Sequence, residues 1–286
     1  MNLHSRIDYV TLRYVTLRCY GESVWNPYEV ITPRARRSLG AASVLVVLVA
    51  WATVSGLSLV AKAKLPSPVD VLTAFLRLAW DAQQGESLLL TATIWSVARV
   101  AAAGVLVVVI GVPIGVAMGA SPRVNAALSP LVDPFRSAPI VAVLPILVMW
   151  LGIGEGMKVS FLFLGAVVYL VPMVRDAMQA VPSTYWIGAH DLGATPWEAV
   201  RHAVLPIAMP RIADAIIVAI SVMWTYITVA EYVNAQEGLG QLIQNARRFS
   251  AMDQVFVGIF VIIALALVTY GTMTAMKKRL FPWEIT

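Results

Sequence analysis

Between residues 187 and 206 the chain reads I-G-A-H-D-L-G-A-T-P-W-E-A-V-R-H-A-V-L-P. This stretch gathers His190, Asp191, Glu198, Arg201 and His202 in a chain that otherwise avoids charge. The two histidines lie twelve residues apart and lack the i, i+4 spacing of a helical ligand pair. His4 and the single cysteine, Cys19, stand far off in the N-terminal tail. One cysteine cannot form an internal disulfide, and no Cys/His spacing suggests a metal site. No Gly-Lys dipeptide occurs, so a P-loop is not expected. H-E-x-x-H and G-x-S-x-G are missing too. The reading is a chain with no catalytic site and no cofactor of its own.

A second constellation is S-V-M-W-T-Y-I-T-V-A-E-Y. Ser221, Thr225, Thr228 and Glu231 fall on one helical stripe. The stripe reads equally as a polar wall of a pathway or as interhelical hydrogen bonding. Glu231 is expected near the outer end of its helix and solvated, a gate or structural contact rather than an anion site. Arg99 is expected near the same outer edge, its head snorkelling to water.

The elements that position these residues are apolar. Of 286 residues 59% are hydrophobic and 13% charged, where a soluble domain carries about a quarter charged. Mean hydropathy is +0.77. These values predict an all-α integral membrane protein. Six transmembrane helices are expected at about 40–60, 95–120, 138–153, 158–175, 207–231 and 254–276. A cytoplasmic segment 1–37 precedes a transmembrane domain 38–286. It holds Y-V-T-L-R twice in tandem and Arg34, Arg36 and Arg37 just before the first span. No secretory signal is read, because the first apolar run begins too far in. Segments 1–37, 120–137, 175–211 and 277–286 then lie inside, with both termini. They hold more than twice the Lys and Arg of the outside segments, as the positive-inside rule requires. The net charge of +5 reflects this bias, and nucleic acid is excluded. The span at 138–153, with Pro139 and Pro145, is the weak link. Were it re-entrant, everything after it would flip. Gly111, Gly115 and Gly119 repeat every four residues as a face for close packing, and Pro113 among them predicts a kink.

Ionisable residues deep inside the spans are almost absent, and no inverted repeat stands out. This disfavours an ion-coupled carrier. What remains is a pore-forming subunit driven by a partner; a non-transporting scaffold and an ion-coupled carrier are the alternatives. A driven subunit needs a cytoplasmic docking element, and the stretch at 187–206 has local signals for one. Ser183 is a candidate N-cap for a helix over 183–192, which Gly193 ends. Thr195, Pro196 and Glu198 form a capping box for a second helix over 196–204. Pro206 and Pro210 are then expected to mark the turn into the next span.

The spacing here resembles the motif of binding-protein-dependent ABC importer membrane subunits: E-A-A, three residues, Gly, nine residues, I-x-L-P. Ala189, Gly193, Leu205 and Pro206 match it. Ile187, Gly188 and Ala203 depart from it, so any polar role of the motif's Glu is lost. G-V-P-I-G-V-A-M-G, P-I-V-A-V-L-P-I-L-V-M-W-L-G-I-G-E, D-L-G-A-T, G-L-G at 238–240 and R-L-F-P-W-E are similar to the taurine, sulfonate and nitrate permease branch. The similarity covers about residues 65–285. It implies a type I ABC importer-like fold with a cytoplasmic coupling elbow, in a bacterial plasma (inner) membrane. It implies a second copy of the subunit, a cytoplasmic ATPase dimer carrying ATP and Mg, an extracytoplasmic binding protein and surrounding lipid. By the same resemblance, Ala189, His190, Asp191, Leu192, Gly193 and Ala194 belong to the ATPase-coupling element. The resemblance also implies a small anionic cargo, taurine- or alkanesulfonate-like, nitrate or bicarbonate.

Overall fold

A computed structural model describes residues 31–57, 59–61, 63–80, 87–233 and 236–285. The tandem Y-V-T-L-R, His4 and Cys19 lie outside the described residues. The described chain forms two compact units that divide between Val54 and Ser55.

The first unit holds nearly all of α1, Pro33–Gly56. Its arginines occupy the first turn, so the helix begins before the apolar run does. At 24 residues it is about 36 Å long, enough for a hydrocarbon core of about 30 Å.

The second unit begins with α2, Pro68–Ala79, which Ser67 and Asp70 start with a reciprocal capping box. It lays Val71, Ala74 and Leu78 inward against the long helices α3 and α10. α3 is Leu88–Ala120, 33 residues, and runs on as helix through Pro113. After it come α4, Pro122–Val132, and α5, Leu144–Leu151. Next are α6, Glu155–Gln179, and the short α7, Ser183–Asp191. α8, Pro196–Tyr232, is one helix of 37 residues. The amphipathic α9, Leu239–Arg248, and α10, Met252–Leu280, complete the order. Among the described residues five helices are long and apolar enough to cross a membrane, or six if the bent segment Pro122–Arg136 plus Ile140–Leu151 counts as one crossing.

The glycine contacts settle the directions. A Cβ on Gly111 would lie 3.0 Å from Leu170, one on Gly115 2.6 Å from Val174, and one on Gly119 would overlap Met178. Numbers rise together on both helices, so α3 and α6 run parallel. Backbones this close need the small-residue face that the Gly repeat predicts. α8 runs opposite to both: Gly104 meets Ile220, and Gly165 meets Tyr226. α10 runs opposite to α8, since its Lys277 pairs with Asp214 at 2.7 Å while its Gly258 meets Ile243 of α9.

Parallel α3 and α6 require residues 121–154 to return along the full length of the pair. The bent segment therefore crosses the layer rather than dipping into one face. It is not the straight span expected at 138–153. Its two arms meet at 98° over residues 137–139, where Pro139 is extended at ψ 97° and cannot donate to a helical ladder.

Three further expectations change. Ser183 is the first helical residue of α7; Pro182 holds the cap position and no side chain caps it. Residues 196–204 do not form a separate helix, because Pro206 and Pro210 do not turn the chain. A π turn over Val200–Val204 precedes Pro206. There the Leu205 N–H reaches Val200, and the wider turn absorbs the missing donor. Arg99 and Glu231 are not solvated at a rim: their relative exposures are 3% and 0%.

Candidate functional site

Among the described residues, an exposed elbow and a buried polar cluster stand at opposite ends of the same helices. At one end, α6 stops at Gln179 and α7 follows at Ser183. Gly193 closes α7 at φ +89°, a region that suits a residue with no Cβ. Ala194 N–H donates to Ala189 C=O at 3.1 Å and Gly193 N–H to His190 C=O at 2.9 Å. Together they make a Schellman turn, which satisfies carbonyls the helix end would leave open. Trp186 stacks on His190 at a centroid distance of 5.4 Å, and the His190 ring reaches the Ala194 carbonyl at 3.1 Å. Thr195 then starts α8: its N–H and its hydroxyl both donate to Glu198 Oε2, at 2.9 and 2.7 Å. Two local motifs thus fix the elbow from Ala189 to Glu198. It presents exposed apolar groups, with Leu192 at 91% and Trp197 at 65%, beside Tyr185 and Ile187.

At the other end, Arg99 of α3 gathers two carboxylates. Its Nε and Nη2 donate to the two oxygens of Glu155, at 2.6 and 2.8 Å. Its Nη1 donates to Glu231 Oε1 at 2.7 Å and to the Glu237 carbonyl at 2.8 Å. Trp95 lies under the guanidinium at 5.5 Å. Ser96 donates to Glu231 at 2.8 Å and accepts from Leu239 N–H at 2.9 Å. Gly240 N–H reaches the other Glu231 oxygen at 2.7 Å. Lys158 donates to Glu155 at 2.8 Å. The two cations and two carboxylates balance, which is how charges tolerate burial. Among the described residues Arg99, Lys158 and Glu231 are the buried charges, so the spans are less free of ionisable groups than expected.

Glycine makes this closure possible. Gly238, at φ +128°, would set a Cβ 2.5 Å from the Glu231 carboxyl carbon, and Gly240 one 2.8 Å from Glu231 Cβ. Glu155 differs from Glu231 in being open: its side chain is 49% exposed and walls a pocket of about 340 Å³.

The structure brings Ala189, His190, Asp191, Leu192, Gly193 and Ala194 together as one turn. It does not unite the stripe on α8. Ser221 donates back to Ile217 at 2.8 Å within its own helix; Thr225 is exposed, Thr228 half-buried and Glu231 inside the cluster. The cluster itself was missed, Ser96, Glu155 and Lys158 included. Two signals pointed to it: a lone Arg in an apolar run, and the Gly-Leu-Gly that follows Glu231.

Long apolar helices joined by an exposed elbow define a multi-pass membrane protein. Residues 108–282 match the model of the binding-protein-dependent transport system inner membrane component, and the chain belongs to that family of multi-pass inner-membrane proteins. It is 33% identical over 255 residues to the taurine transport system permease protein TauC of Escherichia coli, covering 86% of this chain and 90% of that one. It is 26% identical over 239 residues to the putative aliphatic sulfonates transport permease protein SsuC of Bacillus subtilis, covering 84% and 85%. Its fold is similar to a chain of the inward-facing MetNI methionine ABC transporter, with TM-score 0.58, 23% identity and coverage of 65% and 94%. It is equally similar to a chain of an amino acid ABC transporter, with TM-score 0.58, 17% identity and coverage of 74% and 96%. The chain is therefore the permease component of an ABC-type importer.

Proposed function

We propose that two copies of this chain form the pathway through which a small sulfonate, with taurine the first candidate, enters the cell. The similarity to TauC over most of both chains supports this solute, and that to SsuC supports the wider sulfonate class. Nitrate and bicarbonate are the further members of the branch. An extracytoplasmic binding protein delivers the solute. A pair of cytoplasmic ATPases, carrying ATP and Mg, docks on the elbow from Ala189 to Ala194. Both termini and the elbow then face the cytoplasm, and Arg99 lies at the outer end. Ser221, Thr225 and Thr228 are candidate pathway residues on α8.

The observation that carries the docking reading is the elbow: a turn fixed by backbone bonds that leaves Leu192 almost fully exposed. It is also where both α6 and α8 end. A push on the elbow therefore moves two long helices as rigid bodies. No carboxylate is needed at position 187, since Ile187 contributes apolar contact. The balanced cluster at the outer end supports structural closure over an ion relay.

The test is the complex of chain, ATPase and binding protein reconstituted in vesicles. ATP-dependent uptake of radiolabelled taurine is expected, with alkanesulfonate, nitrate and bicarbonate as competitors. Gly193→Trp is expected to lower uptake at least tenfold while the protein still inserts. Its Cβ meets nothing within 4 Å in the isolated chain, so the side chain points to open space, while the φ of +89° strains any residue with a Cβ and loosens the turn that presents Leu192. Coupled uptake at the unmodified rate in Gly193→Trp would remove the docking claim.

A further inference from the structure

We infer that Arg99 is a positioning residue for coupling: it clasps the outer ends of the two helices that meet at the elbow, and its bond to Glu155 is the one that opens. This rests on the docking reading above.

The geometry is a closed circuit. α6 runs from the elbow to Glu155, and α8 runs from the elbow to Glu231. Far from the elbow, the single guanidinium of Arg99 holds both carboxylates. A force entering at Gly193 thus reaches Arg99 along two arms.

The two grips are unequal. Glu231 has no exposure, and it also accepts from Ser96 and from Gly240 N–H. Separating it from Arg99 would leave a buried charge unpaired, a costly state. Glu155 is half-exposed and sits at the first position of α6, beyond the extended Gly154. Released from Arg99, its carboxylate meets water in the adjoining pocket and keeps Lys158 as partner. Arg99 is itself buried but lines the same pocket, so water that enters as α6 moves off reaches its freed N–H groups too and offsets part of the lost pair, a smaller loss than stranding the fully buried Glu231. The circuit therefore opens between α3 and α6 and stays shut between α3 and α8. The Glu237 carbonyl on Arg99, Leu239 N–H on Ser96 and Gly240 N–H on Glu231 tie the 237–240 loop to the shut side. The loop moves with α3 and α8 and uncovers the outer face when α6 departs.

The experiment uses the full complex in vesicles with Cys19 replaced. Spin labels on Ile94→Cys and Ile153→Cys report the α3–α6 end; labels on Ile94→Cys and Tyr232→Cys report the α3–α8 end. All three sites are exposed. On trapping the ATPase with ATP and vanadate, the first distance is expected to lengthen and the second to hold. Glu155→Ala is expected to raise ATP hydrolysis without binding protein several-fold and to cut solute moved per ATP, with co-purified ATPase unchanged. Glu155→Asp should restore part of the coupling. Two distances that change together, or Glu155→Ala with wild-type coupling, would overturn the inference. If the ATPase fails to co-purify with the unmodified chain, the docking reading itself has failed, which is a separate outcome.

Discussion

At the residue scale, Arg99 decides what the outer end can tolerate. Its donors reach Glu155, Glu231 and the Glu237 carbonyl, so removing it strands a fully buried carboxylate. Breaking a buried pair from one side costs roughly 3–5 kcal/mol, while replacing both partners with apolar groups is often neutral. Arg99→Met should therefore lower the thermal midpoint of the detergent-solubilised protein sharply, and Arg99→Met with Glu231→Met should recover much of it. A double variant no more stable than the single one would mean that Glu231 is held by Ser96 and Gly240 alone. This pairing could not be read from sequence, because its partners stand 132 residues apart and only the tertiary fold joins them. The elbow was legible for the opposite reason. The Gly193 turn and the Thr195–Glu198 box close within six residues, so residue type and spacing specify them. Ser183 misled because Pro182 takes the cap position, where the chain is already extended at ψ 135°.

Elements succeed or fail here by how closely they pack. α3 and α6 approach until Gly115 has Val174 Cβ and the Val171 carbonyl within van der Waals range of any added carbon. Gly115→Leu must push the helices apart, since neither neighbour is the free end of a flexible side chain. Its expected result is strongly reduced yield of folded protein by size-exclusion profile. Gly271→Ala on α10 is the matched control. Nothing lies within 4 Å of its added carbon, and alanine favours a helix interior by about 0.5–1 kcal/mol, so yield should hold or rise. Equal yields from the two variants would dismiss close packing as the reason for the glycines. The four-residue repeat announced this face, because small residues at helical spacing have few other uses between spans. The continuity of α8 was hidden. Pro206 and Pro210 read as breaks, and the π turn that absorbs the first is a backbone adjustment without a residue signature. The bent crossing was half-visible: its prolines marked the break, but only parallel packing of α3 and α6 shows that the segment goes all the way across.

For the molecule, direction is what turns this packing into function. From α3 onward the crossings alternate: α3 toward the elbow end, the bent segment away, α6 back, α8 away and α10 back. This order places Leu192 and Phe249 on opposite sides, with relative exposures of 91% and 84%. The excess of Lys and Arg near the elbow end and in K-K-R at 277–279 is what the positive-inside rule expects of a cytoplasmic face, and on the proposed docking the ATPase would meet the chain there. The bent segment sets this order, because a re-entrant loop there would reverse every later element. Single cysteines at these two sites, in a chain with Cys19 replaced, decide it in intact cells. A membrane-impermeant thiol reagent should label Phe249→Cys before lysis and Leu192→Cys only after it. The reverse pattern would put the elbow outside, beyond reach of any ATP-driven partner, and would exclude docking there. With the expected pattern, the circuit from elbow through α6 and α8 to Arg99 spans the membrane from the side where ATP is spent to the side where solute arrives. Its ends are then the elbow and the Arg99 cluster, and the apolar helices between them serve as the rods that connect the two.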